Sequence, residues 1–164
     1  MNDSTSLRLL FVCLGNICRS PSAENVMRSQ VEAEGLAGEI DVDSAGTIDF
    51  HAGNPPDPRM IQAAEARGIP MKGAARQVRR EDLSRFDWIL AMDRSNLREL
   101  VELEKRSGET PARIALFCEF CEEHDEEEVP DPYYGGPEGF EKVLDLLEDG
   151  CASFLRRYRE DSLA

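Results

Sequence analysis

The chain has 164 residues, of which 33 are acidic and 19 are basic, so its formal net charge is −14. This length suits one domain with a full core, and the acidic balance argues against nucleic acid or an anionic membrane as a partner. We predict one soluble, cytoplasmic domain over residues 1–164. No apolar run approaches the ~20 residues of a membrane span, and the first six residues, MNDSTS, lack the basic region of a secretion signal. The five cysteines are an odd number, which argues against a disulfide framework.

The chain opens on an apolar run that is followed by a loop of turn residues. Residues 9–12 predict a buried strand, and a helical pattern begins at Pro21. Residues 13–20, the 13–20 loop, must therefore turn sharply at the carboxyl end of the strand, and Gly15 and Asn16 allow that turn. Successive N–H groups would then converge above a helix N-terminus. Such an arrangement binds an anion the size of phosphate, sulfate or arsenate.

Two side chains indicate that the 13–20 loop is catalytic. Cys13 opens the loop and Arg19 follows six positions later, so a thiol and a guanidinium that can clamp two oxygens face one anion. The converging amides, the helix dipole and Arg19 all favour the thiolate, and Ser20 is placed to donate to the sulfur when it leaves. Cys13 is then a nucleophile for a phosphoryl group. The alternatives are a buried apolar cysteine, or one half of a metal site with Cys18.

Strand and helix patterns alternate along the rest of the chain. Further strands are predicted at 40–43, 87–92 and 114–117. Further helices are predicted at 57–67, at a short turn near 81–83, from Asp93 to about Gly108, and at 140–158. This alternation predicts an α/β fold, with a doubly wound parallel sheet of four strands that is covered on both faces by helices joined through right-handed crossovers.

Asp131 is the candidate proton donor. Hydrolysis of a phosphomonoester through a cysteine needs an acid for the leaving oxygen and then a base for water. Asp131 precedes Pro132 in the loop that follows the fourth strand, at the sheet edge where Cys13 emerges. The alternative is that Asp131 is an ordinary turn residue.

A C-x-x-C pair, Cys118 and Cys121, follows the fourth predicted strand. With His124 it could bind zinc, or it could act as a redox pair. A zinc site needs a fourth placed ligand, and the neighbouring EEHDEEE run is typical of a hydrated loop. The sequence therefore favours two non-catalytic thiols here.

Six segments carry a resemblance to a known family. VCLGNICRSP, DSAG, GNPPDPR, ARQ, AMDRSNL and DPYYGG, in this order over nearly the whole chain, resemble the low-molecular-weight protein tyrosine phosphatases. The resemblance implies the flavodoxin-like phosphatase I fold, and hydrolysis of phosphotyrosine and aryl phosphates through a phosphocysteine on Cys13, without metal or other cofactor. It gives Asp131 the role of acid and then base, with a phosphotyrosine protein as substrate and inorganic phosphate as product or inhibitor.

The resemblance also implies which residues contact the substrate. Phe50 falls where the family has an aromatic wall, and Tyr133 and Tyr134 flank the cleft and are candidate phosphorylation sites. The full predicted set is Leu14, Gly15, Asn16, Ile17, Cys18, Ser20, Phe50, Tyr133 and Tyr134. Proximity and resemblance further suggest that peroxide converts Cys13 and Cys18 to a protective disulfide.

One position departs from the family pattern. Resemblance implies that Asn16, Ser20, Ser44 and often a histidine before ARQ share the hydrogen bonds that brace the 13–20 loop. Gly73 stands at the position of that histidine. We therefore expect another donor or a water molecule to replace the ring.

Three functions other than tyrosine phosphatase are weighed against the same sequence. An arsenate reductase resembles this loop but usually ends it with Ser-Gln rather than Ser20–Pro21, and it needs resolving cysteines near the third strand, where this chain has 91-AMD-93. A phosphoarginine phosphatase tends to have threonine at the place of Ile17. A catalytically silent phospho-binding module would not need Cys13, Arg19, Ser20 and Asp131 together.

Overall fold

The computed structural model describes residues 6–108 and 110–163. Its sheet consists of β1 (Leu7–Cys13), β2 (Ile40–Gly46), β3 (Trp88–Ala91) and β4 (Arg113–Leu116). All pairings are parallel and the strand order is β2-β1-β3-β4. This confirms the predicted four-stranded parallel sheet. Because β1 lies between β2 and β3, its carboxyl end is flanked by strand ends on both sides.

The connections are mostly helical, as predicted. The helices are α1 (Arg19–Ala33), α2 (Pro58–Glu65), α3 (Asp82–Arg85), α4 (Arg94–Ser107) and α5 (Pro137–Arg159), and a 3₁₀ helix (Phe117–Phe120) follows β4. The last helix begins three residues earlier than predicted, since a proline is tolerated in the first turn. The fourth strand ends one residue earlier, because Phe117 already belongs to the 3₁₀ helix. None of the described helices has the length and hydropathy needed to cross a membrane.

Both faces of the sheet are buried. Alternate residues of β1 point to opposite faces: Leu9 and Phe11 pack in a larger cluster with residues of α1 and α5, and Leu10 and Val12 pack in a smaller cluster with Leu83 and Leu100. Burial on both sides explains the continuous apolar run that identified this strand in the sequence. The strand that carries Cys13 is therefore held in place from two faces and two edges.

Candidate active site

The 13–20 loop leaves the carboxyl end of β1 and enters α1 at Arg19. The chain crosses from β1 to β2 on one side and later to β3 on the other, so the loop lies at the topological switch point where open α/β sheets bind ligands. Asn16 adopts a left-handed backbone conformation with φ of 59°. This conformation turns the chain back toward Cys13, as the sequence predicted for an Asn at this position.

The sulfur of Cys13 lies inside the loop with polar groups around it. Its Sγ accepts a hydrogen bond from the backbone N–H of Asn16 at 3.3 Å, and the hydroxyl Oγ of Ser20 lies 3.0 Å away. Ser20 Oγ also receives a hydrogen bond from the side-chain amide of Asn16 at 2.8 Å. The Ser20 hydroxyl proton therefore has two acceptors within reach, the Cys13 sulfur at 3.0 Å and the carbonyl oxygen of Ala45 at 3.3 Å.

The side chain of Asn16 braces the loop from behind. Its Nδ2 donates to Ser20 Oγ and, at 3.0 Å, to Ser44 Oγ, while its Oδ1 accepts from the backbone N–H of Arg76 at 3.0 Å. Ser44 Oγ in turn donates to Glu24 Oε1 at 2.6 Å. Segments from β2 and from the connection after α2 therefore fix the loop through one buried amide.

Arg19 is buried, with 3% of its surface exposed. Its Nη1 donates to Asp93 Oδ2 at 2.7 Å and to the carbonyl oxygen of Val129 at 3.0 Å, and its Nη2 lies 3.8 Å from Asp131 Oδ2. Burial alone would lower the pKa of the guanidinium, but Cys13, Asp93 and Asp131 outweigh it and raise that pKa. Arg19 is thus a fixed, permanent cation beside the thiol.

The 130–136 loop, which carries Asp131, is held against α2. Asp131 Oδ1 accepts a hydrogen bond from Tyr133 N at 3.1 Å, and Arg59 Nη1 donates to Tyr133 O at 3.1 Å. The Arg59 guanidinium also lies over the rings of Tyr133 and Phe140, at 5.1 and 4.9 Å from their centroids. Asp57 holds Arg59 from the other side, with an Oδ2–Nη2 distance of 2.9 Å.

These elements enclose a cleft of about 250 Å³ above the sulfur. Cys13 and Arg19 lie at its floor and Asp131 lines one side. Aromatic rings form its rim: Phe50 is 80% exposed and Tyr134 is 91% exposed. The complete lining is Cys13, Leu14, Gly15, Ile17, Cys18, Arg19, Ile48, Phe50, His51, Asp131, Tyr133 and Tyr134. A polar floor under an apolar rim fits a phosphate on an apolar stem.

Comparison with known proteins agrees with this geometry. The family model for the low molecular weight phosphotyrosine protein phosphatases matches residues 8–163. The chain belongs to this family. A Synechocystis sp. protein, slr0328, which is provisionally named a low molecular weight protein-tyrosine-phosphatase, is 48% identical over 149 residues, covering 91% of this chain and 94% of its own.

Solved structures of low-molecular-weight phosphatases superpose closely on the chain. A product-state mimic of a protein tyrosine phosphatase from Entamoeba histolytica is 41% identical, with a TM-score of 0.90, and the match covers 97% of this chain and 99% of that one. The arginine phosphatase of Drosophila is 33% identical, with a TM-score of 0.88 and coverage of 93% and 98%. The fold is therefore shared by phosphatases whose names give different substrates.

Most residues that the resemblance to the low-molecular-weight phosphatases singled out meet at the cleft. Leu14, Gly15, Ile17, Cys18, Phe50, Tyr133 and Tyr134 line it together with Cys13, Arg19 and Asp131. Asn16 and Ser20, which we had placed among the substrate contacts, are not part of the lining. Both belong to the loop itself, and their buried side chains hydrogen-bond to each other and support it.

Three supporting residues were missed by the sequence analysis. Asp93 was interpreted only as a helix cap, which it is, since its Oδ1 accepts from Asn96 N at 2.8 Å. Its second oxygen holds Arg19. The sequence shows that Asp93 follows the third strand, but only the structure shows that this strand lies next to β1. Val129 acts through its backbone carbonyl and Arg59 acts through the 130–136 loop, so neither role was visible in the sequence.

Position 73, where the resemblance places a histidine, carries no ring in this chain. Gly73 leaves a cavity of about 50 Å³ beside Asn16, Glu24 and Ser44. The brace is nonetheless complete without the ring, because Glu24 accepts from Ser44 and is itself bound by Arg28 at 2.5 Å. The polar atoms of the Asn16 side chain and of Ser44 therefore have partners without a ring at position 73.

We expect Asn16→Gly to lower the free energy of unfolding by about 1–3 kcal/mol, because Ser20, Ser44 and Arg76 N each lose a buried partner. Asn16→Ala should lose about 1 kcal/mol more, since alanine is strained at a φ of 59° and glycine is not. Urea unfolding of both variants measures this difference in stability. A titration with inorganic phosphate measures whether the 13–20 loop still binds the anion. Equal stability of the two variants would argue against backbone strain at this position.

Asp57 should make stability depend on pH. The hydrogen bond from the Arg59 side chain, above all, holds the pKa of Asp57 below its ordinary value of 3.8 despite burial. The carboxylate therefore contributes its stability fully above the unfolded-state pKa and loses it as the pH falls through the lower folded-state pKa. We expect wild type to exceed Asp57→Asn in urea-unfolding stability near neutrality, and the gap to shrink in acid. A gap that is independent of pH would contradict this.

Proposed function

We propose that the chain hydrolyses phosphotyrosine in proteins, and aryl phosphates, through a phosphocysteine intermediate on Cys13. The observation that carries the proposal is the placement of Cys13 Sγ within hydrogen-bonding distance of Asn16 N and Ser20 Oγ, in a loop closed by a fixed arginine. Sulfur attacks phosphorus in line, and the P–O bond to the phenol breaks. Arg19 and the loop amides stabilise the equatorial oxygens.

In the proposed mechanism Asp131 acts twice. As a carboxylic acid it gives its proton to the phenolic oxygen when the P–O bond breaks. As the resulting carboxylate it takes a proton from water, whose oxygen attacks phosphorus while the S–P bond breaks. The Ser20 hydroxyl, 3.0 Å from the sulfur, stabilises the departing thiolate. Inorganic phosphate leaves and the acid is restored.

The apolar walls favour an aromatic substrate. The sulfur lies at the floor of the cleft, so only a long stem carries phosphate to it, and Ile17, Phe50 and Tyr133 offer that stem apolar contacts. We propose that the single predicted domain, residues 1–164, works in the cytoplasm, where the five free cysteines stay reduced. Inorganic phosphate, as the product, should inhibit competitively.

One comparative assay tests this function. The purified chain is given an aryl phosphate and phosphotyrosine with a metal chelator present, and in parallel phosphoarginine and arsenate with a thiol reductant. We expect turnover of the aromatic substrates, undiminished by chelator, at least tenfold above that of phosphoarginine. Faster phosphoarginine turnover would favour the function named for the Drosophila relative, and reduction of arsenate would favour the reductase.

We predict that mild peroxide joins Cys13 and Cys18 in a reducible disulfide. Burial, with Asp57 and Cys13 nearby, raises the pKa of Cys18 to about 12, so Cys18 stays a thiol while Cys13 reacts first and forms a sulfenic acid. Cys18 then displaces water and protects the nucleophile. Intact-mass analysis should find a two-hydrogen loss mapped to this pair and reversed by dithiothreitol. Irreversible oxidation of Cys13 with Cys18 still reduced would exclude the protective role.

A further inference from the structure

The 3₁₀ helix holds a second pair of cysteines outside the cleft. Cys121 caps this helix, and its backbone N–H donates to the carbonyl oxygen of Cys118 at 3.1 Å. A 3₁₀ helix has three residues per turn, so the two side chains lie one above the other on the same face. A rise of about 2.0 Å per residue separates their Cα atoms by about 6 Å, within the range that a disulfide spans. Both cysteines are free thiols here.

The thiols of Cys118 and Cys121 are close enough for a hydrogen bond between them. The hydrogen bond from Cys121 lowers the pKa of Cys118 despite burial, and the same bond raises the pKa of Cys121. The Cys121 S–H has a second acceptor, the carbonyl oxygen of Leu146, at 3.5 Å. Cys118 is therefore the better thiolate, and Cys121, which is partly exposed, is the thiol beside it.

A zinc site is not what this pair forms. His124, the third candidate ligand, bonds through Nδ1 to Asp149 Oδ2 at 2.8 Å. Asp149 in turn accepts the backbone N–H groups of Glu122 and Glu123 at 3.0 and 2.9 Å. Over residues 6–108 and 110–163, no three His, Cys, Asp or Glu side chains are grouped so that they could hold a metal ion. Of the two active roles that the motif suggested, redox chemistry is the one left.

We propose that Cys118 and Cys121 are a redox-active dithiol, which hydrogen peroxide oxidises to an intrachain disulfide independently of Cys13. The Cys118 sulfur attacks one peroxide oxygen, the O–O bond breaks, and the departing hydroxide takes a proton and leaves as water. This gives a sulfenic acid on Cys118. The Cys121 sulfur then loses its proton and attacks the Cys118 sulfur, the S–O bond breaks, and a second water leaves. Two thiols lose two hydrogens while one peroxide becomes two waters.

The negative charge around Cys118 and Cys121 favours a neutral oxidant over an anionic one. The carboxylates of Glu126, Glu128 and Asp149 act electrostatically on Cys118, and Asp149 also acts on Cys121, in a chain whose net charge is −14. An anionic disulfide such as oxidised glutathione is repelled by these carboxylates, whereas hydrogen peroxide is not. The pair is thus a modification site for peroxide rather than for the glutathione pool.

The test uses thiol mapping in a Cys13→Ser, Cys18→Ser variant, which keeps Cys118, Cys121 and Cys151. After peroxide treatment, denaturation and maleimide labelling, we expect two of these three thiols to be lost. The tryptic peptide that contains Cys118 and Cys121 should be lighter by two hydrogens and should take up label only after reduction. Cys151, which is fully buried, should be labelled throughout. Cys118→Ser or Cys121→Ser, added to this variant, should abolish the disulfide.

Three results would overturn the proposal. They are full labelling of both cysteines after peroxide, loss of label that reductant does not restore, or oxidation by glutathione disulfide as fast as by peroxide. The same mapping on the unmodified chain, with inorganic phosphate added to shield Cys13, keeps the test valid if the variant folds poorly. Because the readout is thiol labelling, failure of the proposed phosphatase function would leave this result unaffected.

Discussion

Replacing Cys13 by serine should lower phosphotyrosine turnover by on the order of 10⁴–10⁶-fold, the loss seen when a catalytic nucleophile is removed. A serine hydroxyl keeps the geometry of the loop but is not ionised near neutrality, so the groups around the sulfur have no anion to stabilise. Steady-state kinetics on phosphotyrosine and on an aryl phosphate measures the loss. Substantial activity in the purified variant would overturn the proposed mechanism.

Two controls separate chemistry from folding. Isothermal titration with inorganic phosphate should show that Cys13→Ser still binds the anion, because the loop amides and Arg19 remain. Cys121→Ser, at a thiol outside the cleft, should keep the phosphatase activity of wild type. Loss of activity in both cysteine variants would point to instability rather than to the nucleophile.

Arg19→Lys should fail to support turnover, although it keeps the charge. The guanidinium satisfies Asp93 and Val129 through one nitrogen and leaves its other nitrogen toward Asp131 and the cleft. A lysine ammonium is a point charge without this fork, so it cannot hold the carboxylate and clamp two phosphate oxygens together.

Asp131→Asn should cost on the order of 10²–10⁴-fold with phosphotyrosine, the usual range for lost general acid catalysis. The loss should be much smaller with an activated aryl phosphate, because its phenolate leaves without needing a proton. Steady-state rates on both substrates measure the two losses.

Asp125→Asn is the matched control, since Asp125 is an exposed carboxylate six residues before Asp131 and does not line the cleft. It makes the same substitution away from the cleft, so its kinetics should match wild type on both substrates. Equal losses on the two substrates in Asp131→Asn would show that Asp131 only shapes the 130–136 loop through its bond to Tyr133 N.

Local patterns were enough to predict the fold and the centre of the site. The apolar run before Cys13 reports burial on both faces, and the strand–helix alternation that follows implies a parallel sheet. The partners of Arg19 were not accessible in this way. Asp93 and Val129 are 74 and 110 residues away in sequence, and their position depends on strand order, which periodicity does not encode.

Gly73 illustrates a second limit. The resemblance marked Gly73, two residues before ARQ, as the position where the family often has a histidine. It could not show that Glu24, the sixth residue of α1, accepts from Ser44 and leaves the brace intact. The sequence shows that a side chain is missing at position 73. Only the three-dimensional structure shows which other residues satisfy the hydrogen bonds of the brace.

The bracing of the 13–20 loop by Ser44 and Arg76 links the chemistry of Cys13 to the order in which the protein folds. Neither partner is local: Asn16 reaches them 28 and 60 residues further along the chain, after a parallel crossover that forms slowly relative to a single helix. A nascent or partly folded chain therefore carries an ordinary cysteine at this position. The anion-binding loop is complete only when β1 and β2 have paired, so the gain of inorganic phosphate binding during refolding should serve as a clock for assembly of the sheet.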